Sequence, residues 1–495
     1  MTGTAGAVAA AAGTAGAGTA EVGTAEAGTA EVGTAEVGTA GPAAGVPPDA
    51  VRYHCEYAWL GGERAVPDVL VTVVGGRVIA VRPGLPAPAG AHRLPGLTLP
   101  GLVNTHSHVF HRAIRGHAQS GVADFWAWRE VMYAVAAALD PDLLYRLALA
   151  TYAEMALSGI TAVGEFFYLH HGPDGRPYDE PNAMALAVIR AATDAGIRIT
   201  LLDTCYLQAG VDGAPLRGVQ RRFTDGSAEA WQRRTDALAS IDAGPLVRVG
   251  AAVHSVRAVP RREIGPIAQF ARDRGLPLHV HVSEQPAENA ACLAAFGLTP
   301  VALLDAEGVW AAGGTAVHAT HLTEPDIATL GARGTAVSLC CTTERDLADG
   351  PGHALALARA GSPLCVGSDG QAVIDLLEEG RAIELNERLR TGVRGHLSAG
   401  RIAHALTAAG AASIGWDGGR ITVGAPADLV TIDLDSVRTA GARSGDVLAH
   451  TIFAGTAADV RTVIVGGSVV VADGVHLAVP HTGRELAAVI ARVLR

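Results

Sequence analysis

The sequence predicts an α/β fold, a (β/α)8 TIM-type barrel with a small β-sandwich domain built from both chain ends. Through the middle of the chain, short apolar segments of strand length alternate with helix-like stretches, and many of these segments end in polar residues. Segments rich in β-branched residues and broken by glycine and proline occur near both ends instead. At 495 residues the chain is long enough for one large and one smaller domain.

The N-terminal segment, residues 1–48, is rich in Ala, Gly and Thr and repeats the pentapeptide GTAEV or GTAEA four times between Gly18 and Val37. Because it has almost no large apolar side chains, it cannot offset the entropy lost on ordering. We expect a disordered low-complexity tail.

The strand-rich flanks come next. DVLVTVVGGRVIAVRPG, residues 68–84, predicts a hairpin that turns at Gly75 and Gly76. Residues 427–435 and 460–475 are likewise rich in β-branched residues. We expect residues 51–100 and 415–480 to pair into the β-sandwich, and residues 101–414 to form the barrel.

The barrel strands are predicted from apolar runs that end in polar residues, separated by stretches such as DLLYRLALATYAEMALSG that favour helix. The runs are ITAVGEF, RITLLDT, VRVGAAVHS, LPLHVHVSE, GTAVHATHL, TAVSLC and PLCVGSDG. Buried parallel strands that alternate with helices are typical of this barrel.

Composition excludes several classes of function. A net charge of -11 without a basic cluster argues against a nucleic-acid partner. Six scattered cysteines without CxxC spacing, and no basic leader or long apolar span, predict a reduced, cytoplasmic protein without a membrane partner. All 38 Lys+Arg residues are arginine, which excludes Schiff-base chemistry, a P-loop lysine and a metal pair bridged by a carbamylated lysine.

Polar residues close the predicted barrel strands, and strand C-termini share one mouth of such a barrel, so these side chains should converge. They are His106, His108, Glu165, Tyr168, His254, His281, His318 and Asp369. An HxH motif is weak evidence alone. Followed in order by HxHxxE at 279–284, VHxxH at 317–321 and SDG at 368–370, it predicts a metal site.

Seven segments carry a resemblance to a known family. From about residue 51 onward the chain resembles the formimidoylglutamate deiminases of the amidohydrolase superfamily, in the branch of zinc-dependent deaminases that use one metal. The segments are HSHVFHRAIRG, FWAWREVMY, GEFFYLHH, AVHSVRAV, HVHVSEQ, VHATHLT and LCCTTERDLADG. The second and third are the most specific.

The resemblance implies one Zn²⁺ per chain, with Fe²⁺ or Mn²⁺ as alternatives, held by His106, His108, His281 and Asp369. It also implies that Asp369 acts as general base, that Glu284 delivers a proton to the leaving nitrogen, and that His318 donates to the water or the tetrahedral centre. For Glu284 and His318, a role in orienting the ligand imidazoles is the alternative.

The implied reaction is deimination of N-formimidoyl-L-glutamate to N-formyl-L-glutamate and ammonia, in histidine degradation, by a homodimer. The small-molecule dicarboxylate would be bound by His111, Arg129, Tyr168, His254 and Arg257. An arginine fork binds a carboxylate bidentately. For Arg129 the alternative is a surface ion pair with an acid such as Glu130.

Two positions depart from the family pattern. Residue 111 is His where the family usually has Gln, and residues 370–371 are Gly-Gln where it usually has Ser-His. His117, His170, His171, His279 and His321 are expected to be structural.

Three other functions stay open. A mononuclear amidohydrolase could deaminate a guanidino acid or an aromatic amine. A binuclear hydrolase, with Glu165 as the bridge, is disfavoured by the missing lysine. A non-catalytic small-molecule-binding barrel would keep the fold without the reaction.

Overall fold

The computed structural model describes residues 47–117 and 125–495, without the side chains of residues 125–127. The predicted tail, residues 1–48, therefore lies outside the described residues except for its last two positions. The predicted fold class is confirmed: the described residues form an eight-stranded parallel barrel sheet and a separate eight-stranded sheet.

The separate sheet takes strands from both ends of the chain. The strands are β1 (Val51–Ala58), β2 (Val66–Val74), β3 (Arg77–Arg82), β4 (His92–Pro100), β13 (Leu429–Ile432), β14 (Val460–Val465), β15 (Ser468–Ala472) and β16 (Val475–His476). Their order in the sheet is β16-β15-β14-β13-β4-β1-β2-β3, so the C-terminal strand β13 pairs antiparallel with the N-terminal strand β4.

This sheet has a hydrophobic core of its own, to which both chain ends contribute. Cys55, Val71 and Leu429 are completely or almost completely buried in it. The predicted hairpin is present: Val74 pairs with Arg77, and both intervening glycines have positive φ, as a tight two-residue turn requires. The exact domain boundaries stay a prediction.

The barrel strands follow one another in sequence order around the sheet, each parallel to the next. All the predicted apolar runs contribute strands. They are β5 (Leu102–Ser107), β6 (Ile160–Phe167), β7 (Arg198–Cys205), β8 (Val247–Val253), β9 (Leu278–Val282), β10 (Gly314–His318), β11 (Val337–Leu339) and β12 (Leu364–Val366).

Helices connect the strands, and the predicted helix after residue 140 is α2 (Pro141–Leu157). The Asp140 side chain accepts a hydrogen bond from the Leu143 amide, and Pro141 occupies the first turn, where its missing N–H costs nothing. The helices are α1 (Phe125–Ala138), α2 (Pro141–Leu157), α3 (Ala183–Asp194), α4 (Ala228–Ala239), α5 (Arg261–Arg274), α6 (Pro286–Phe296), α7 (Pro300–Ala306), α8 (Glu324–Ala332), α9 (Cys341–Asp346), α10 (Ala354–Ala360), α11 (Leu376–Thr391), α12 (Ala399–Leu406), α13 (Ala408–Ser413), α14 (Val447–Ala454) and α15 (Thr482–Val493).

The barrel seam lies between the first strand, β5, and the last, β12. Beyond the end of β12, Ser107 and Asp369 form an isolated parallel bridge. The Asp369 amide donates to the His106 carbonyl at 2.9 Å, and the His108 amide donates to the Asp369 carbonyl at 3.1 Å. The seam therefore brings the HxH motif beside Asp369.

Among residues 47–117 and 125–495, no single helix is both long and apolar enough to cross a membrane. By length and composition alone, α6 and α7 would qualify together, as a pair bent by 52°.

Candidate active site and metal centre

The polar residues that the sequence places at strand ends meet at the carboxyl end of the barrel. His106 lies in β5, His281 in β9, and His318 is the last residue of β10. His318 and Asp369 have positive φ values of 66° and 40°, a backbone conformation that non-glycine residues rarely adopt. Such strain is typical of positions where the surrounding structure holds a side chain for function.

Three imidazoles surround the Asp369 carboxylate. His106 Nε2 and His108 Nε2 lie 3.1 and 3.3 Å from Asp369 Oδ1, and His281 Nε2 lies 3.1 Å from His106 Nε2. His318 is also close, since one ligand atom each from His106, His281, His318 and Asp369 lies within 4.8 Å of the other three. All five side chains are buried.

The donor set fits a divalent metal ion. Nδ1 of His108 is 2.8 Å from the Phe166 carbonyl oxygen, and Nδ1 of His281 is 2.9 Å from the His254 carbonyl oxygen. Because a carbonyl only accepts, each Nδ1 carries the hydrogen and each Nε2 presents its lone pair to the centre. Burial also lowers the pKa of His106 to about 3, which keeps that ring neutral.

His318 lies between carboxylates. Its Nε2 is 3.8 Å from Glu284 Oε1 and 3.9 Å from Asp369 Oδ2, and its Nδ1 is 3.5 Å from Glu344 Oε1. Burial alone would lower the pKa of His318, but these three carboxylates raise it to about 10. The ring is therefore held as a proton donor beside the cluster.

A cavity opens above this cluster, and all five predicted substrate contacts line it. Most of its other lining residues are aromatic or hydrophobic. The lining consists of His108, His111, Trp128, Arg129, Met132, Tyr133, Tyr168, Tyr206, Phe223, His254, Arg257, His281, Glu284, His318, Leu347 and Asp369.

His111 is buried in the wall of this cavity. Its Nε2 lies 3.1 Å from the Tyr168 hydroxyl, and its ring centroid is 4.7 Å from that of His108. Burial holds the pKa of His111 well below its usual value, so the ring is neutral. His111, which stands where the family usually has Gln, therefore contacts both the ligand candidate His108 and the predicted substrate contact Tyr168.

Arg257 is occupied by acidic partners. Its Nε donates to Glu288 at 2.8 Å and its Nη2 donates to Glu284 at 3.0 Å. The guanidinium therefore fixes the orientation of the Glu284 carboxylate, a contact that the sequence did not predict.

Tyr133 was not predicted to be a site residue, although it is the last residue of the segment FWAWREVMY. It lines the cavity four residues after Arg129, on the same face of α1, and its hydroxyl accepts hydrogen bonds from Arg129 Nε at 2.5 Å and Gln220 Nε2 at 3.1 Å. Its i, i+4 spacing from Arg129 could have indicated this role, because residues four apart lie on the same face of a helix. Tyr206 and Phe223 were also missed, and no motif marked them.

Gln371, which departs from the family pattern, is completely buried beside the ligand residues. Its side-chain nitrogen donates to Ser107 Oγ at 2.9 Å and to the Asp369 carbonyl at 3.0 Å, while its oxygen accepts from Ser368 Oγ at 2.8 Å. It thus ties the HxH segment to the Asp369 segment across the barrel seam.

Glu165 lies behind the HxH segment, where it accepts hydrogen bonds from Ser107 Oγ and the Val109 amide, both at 2.7 Å. Burial raises the pKa of Glu165 to about 8. Its contacts are those of a group that supports the β5 end, which gives no support to a bridge between two ions.

The five histidines predicted to be structural have positions consistent with that prediction. Nε2 of His170 and of His279 each contact a backbone carbonyl at 2.9 Å, and His171 Nε2 lies 3.1 Å from Asp225. His321 is half-buried, and His117 is exposed.

Comparison with known proteins identifies the family. The model described as "Amidohydrolase family" matches residues 97–470, which include the whole barrel sheet and the metal-site candidates. The chain belongs to the amidohydrolase family.

Relatives of this amidohydrolase remove nitrogen from different substrates. A formimidoylglutamate deiminase of Pseudomonas aeruginosa is 36% identical over 415 residues, covering 82% of this chain and 91% of that protein. A 5-methylthioadenosine/S-adenosylhomocysteine deaminase of Natronomonas pharaonis is 31% identical over 412 residues, covering 82% and 88%. The chain is thus an amidohydrolase-type deaminase, a hydrolase that acts on carbon–nitrogen bonds.

A solved structure supports the fold over nearly the whole amidohydrolase chain. The crystal structure of an amidohydrolase from Brucella melitensis matches with a TM-score of 0.83 at 32% identity. The match covers 90% of this chain and 100% of that one.

Proposed function

We propose that this amidohydrolase hydrolyses N-formimidoyl-L-glutamate to N-formyl-L-glutamate and ammonia, with one Zn²⁺ per chain. One observation carries the proposal: the histidine–aspartate cluster lies in a cavity that also contains the Arg129–Tyr133 pair. A guanidinium beside a phenol suits a carboxylate, which 5′-methylthioadenosine lacks. The 36% identical formimidoylglutamate deiminase supports the same substrate.

His106, His108, His281 and Asp369 would hold the metal, and zinc suits three imidazoles and one carboxylate. A bound zinc ion supplies Lewis acidity that lowers the pKa of a water molecule toward neutrality.

The chain's own side chains would carry out the proton transfers. Asp369 accepts the proton of the water that attacks the formimidoyl carbon, and His318 donates a hydrogen bond to the developing tetrahedral centre. Glu284, oriented by Arg257, delivers a proton to the terminal nitrogen. For a substrate bound as the amidinium, the carbon–nitrogen bond then breaks with its electron pair on nitrogen and ammonia leaves. The hydroxyl added from water returns a proton to Glu284 as the formyl carbonyl forms, and Asp369 releases its proton to solvent.

The other site residues would bind substrate. Arg129 and Tyr133 contact a carboxylate on one side of the cavity, while Tyr168, His111 and His254 line it beside the cluster. Since His111 replaces the usual glutamine, its neutral ring offers one donor or acceptor to the substrate.

Deamination of an aromatic amine is the second candidate function. Tyr168, Tyr206, Phe223 and His254 pack their rings edge-on or tilted around the cavity, with centroids 4.5 to 6.3 Å apart. Such an aromatic wall can stack a purine. The 31% identical 5-methylthioadenosine/S-adenosylhomocysteine deaminase favours this alternative.

Ammonia release from a substrate panel separates these functions. The panel contains N-formimidoyl-L-glutamate, guanidino acids and 5′-methylthioadenosine, each tested on zinc-loaded protein. We expect release from the first, with Arg129→Met raising its KM by about 10- to 100-fold through loss of a charged hydrogen bond. An unchanged KM in Arg129→Met would contradict the carboxylate assignment, and no release from any compound would favour a binding protein.

We also propose a cytoplasmic homodimer that acts in histidine degradation. All six cysteines are unpaired and buried, which suits a reducing compartment. The dimer and the pathway rest on the family resemblance. Sedimentation analysis of the full chain tests the dimer.

A further inference from the structure

Arg222 is an arginine whose guanidinium is completely buried among neutral acceptors. Its Nε donates to the His171 carbonyl at 2.8 Å and its Nη2 to the Leu139 carbonyl at 2.7 Å, while Nη1 donates to the Ala136 carbonyl. The Tyr178 hydroxyl lies 3.5 Å from Nη2. Removing a charge from water is costly, so these hydrogen bonds must replace the lost hydration of the guanidinium.

Two of these acceptors are at the C-terminal end of α1. The last carbonyls of a helix have no partner within the helix and carry partial negative charge, which a cation stabilises. Because α1 runs from Phe125 to Ala138, the Arg222 guanidinium caps this helix.

The same helix carries one side of the cavity. Trp128, Arg129, Met132 and Tyr133 all line the cavity, and they lie in the first half and middle of α1. At 1.5 Å per residue, Arg129 is about 10 Å along the helix axis from the capped end. A shift of that end therefore moves Arg129 and Tyr133 relative to the metal-site candidates.

Arg222 also connects α1 to two other sides of the cavity. Its carbonyl accepts hydrogen bonds from the His170 and His171 amides, both at 3.0 Å, just beyond Tyr168 at the end of β6. Its chain neighbour Phe223 lines the cavity, with its ring 5.1 Å from that of Tyr168. Three segments that surround the substrate cavity thus meet at Arg222, through its side chain, its carbonyl and its chain neighbour Phe223.

The segment after Arg222 has a separate attachment to the barrel. Asp225 binds His171 Nε2 at 3.1 Å and Arg234 at 2.9 Å, and Arg234 binds Asp203 in β7 at 2.7 Å. The members of this ionic network lie outside α1. The distinct contribution of Arg222 is therefore to hold α1 in register with these segments.

We propose that Arg222 is a positioning residue that sets the placement of Arg129 and Tyr133 by fixing the C-terminal end of α1. The effect on substrate binding rests on the proposed function, in which Arg129 contacts a substrate carboxylate. The placement of α1 does not depend on that function.

The kinetic experiment compares Arg222→Met with Arg221→Met on zinc-loaded full-length protein. Arg221 is the exposed neighbour and serves as the matched control. For Arg222→Met we expect the KM for N-formimidoyl-L-glutamate to rise about 10-fold while kcat changes less than about 3-fold, since the chemical groups stay in place. Arg221→Met should keep both constants.

A double variant tests whether the effect passes through Arg129. If it does, adding Arg222→Met to Arg129→Met raises KM by less than about 2-fold, because the contact is already lost. A full additional 10-fold increase in KM would overturn the proposal, as would a folded Arg222→Met protein with the wild-type KM. Arg222→Lys, which keeps a cation but has a shorter reach, should lie between wild type and Arg222→Met, and replaces Arg222→Met if that variant does not fold.

Hydrogen exchange of peptides that cover residues 125–139 gives a readout without substrate. Faster exchange there in Arg222→Met or Arg222→Lys, with Arg221→Met unchanged, supports fixation of α1. Unchanged exchange overturns it. If wild-type protein releases no ammonia from N-formimidoyl-L-glutamate, the proposed function fails while the exchange result still decides the role of Arg222.

Discussion

Replacing Gln371 with methionine is expected to weaken metal binding without touching a ligand. Methionine has a similar volume but cannot form the three side-chain hydrogen bonds that join Gln371 to Ser107, Ser368 and the Asp369 carbonyl. Since Gln371 is completely buried, water does not readily replace them.

The magnitude follows from what each partner retains. Ser107 Oγ still donates to Glu165, and the Asp369 carbonyl still accepts from the His108 amide, so each loses one bond of two. The Ser368 oxygen still accepts a hydrogen bond from Asn104 Nδ2 at 2.7 Å, but its hydroxyl hydrogen loses its acceptor. At about 1 kcal/mol for each of those two hydrogen bonds, and about 1–3 kcal/mol for the buried hydroxyl hydrogen left without an acceptor, we expect a total cost of about 3–5 kcal/mol.

Part of this cost should be visible in metal affinity. Loss of a group that orients metal ligands typically lowers affinity about 10- to 100-fold, which corresponds to about 1.4–2.7 kcal/mol. The assay is a chelator titration of the zinc-loaded protein that measures released zinc. Thermal unfolding of the metal-free protein measures the structural part separately.

Two further variants complete this test. Gln269→Met changes an exposed glutamine on α5 and should leave zinc retention unchanged. Gln371→Glu keeps the size but puts a carboxylate oxygen against the Asp369 carbonyl, so it should weaken retention at least as much as methionine. If Gln371→Met retains zinc and unfolds at the same temperature as wild type, the hydrogen bonds of Gln371 do not orient the metal ligands, and the prediction is wrong.

Metal removal and substitutions at Arg257 and Asp459 each have an expected outcome. Removing metal with a chelator should abolish ammonia release, and zinc should restore it; activity that persists in metal-free protein would contradict a metal-dependent reaction. Arg257→Met frees Glu284 and should lower kcat about 10- to 100-fold, with Arg262→Met as an exposed control; a change in KM alone would assign Arg257 to binding. Burial would raise the pKa of Asp459, but hydrogen bonds, chiefly from Arg438, lower it to about 2, so its stabilising contribution is present above about pH 4 and lost as the pH falls through about 2. Asp459→Asn should thus cost about 2 kcal/mol at pH 7 and lose this cost in strong acid; a cost independent of pH, measured by denaturant unfolding, would refute the charge contribution.

The barrel could be predicted from the sequence because buried parallel strands have a strong local signature. Both faces of such a strand are covered, so β6 reads as the largely apolar run ITAVGEFF. The neighbouring helix α2 carries a proline in its first turn. The convergence of His106, His281 and Asp369 followed from the fold, since parallel strands in a barrel end at the same mouth.

The contacts around those residues could not be predicted in this way. Tyr133 and Gln220 are 87 residues apart, and Gln371 and Ser107 are 264 apart, so no sequence spacing relates the members of either pair. Arg257 was expected to bind substrate, but the structure gives it two carboxylate partners. Which acid an arginine pairs with depends on side-chain packing between distant segments.

The sequence by itself thus determined the fold class, the alternation of strand and helix, and the candidate ligands at the strand ends, because periodicity and strand direction are local properties. Tertiary structure alone decided that Gln371 joins the two ligand-bearing segments across the barrel seam and that Arg222 caps the helix carrying Arg129. The physical reason is that a buried polar group must find a partner wherever the fold brings one within about 3 Å, at any separation along the chain.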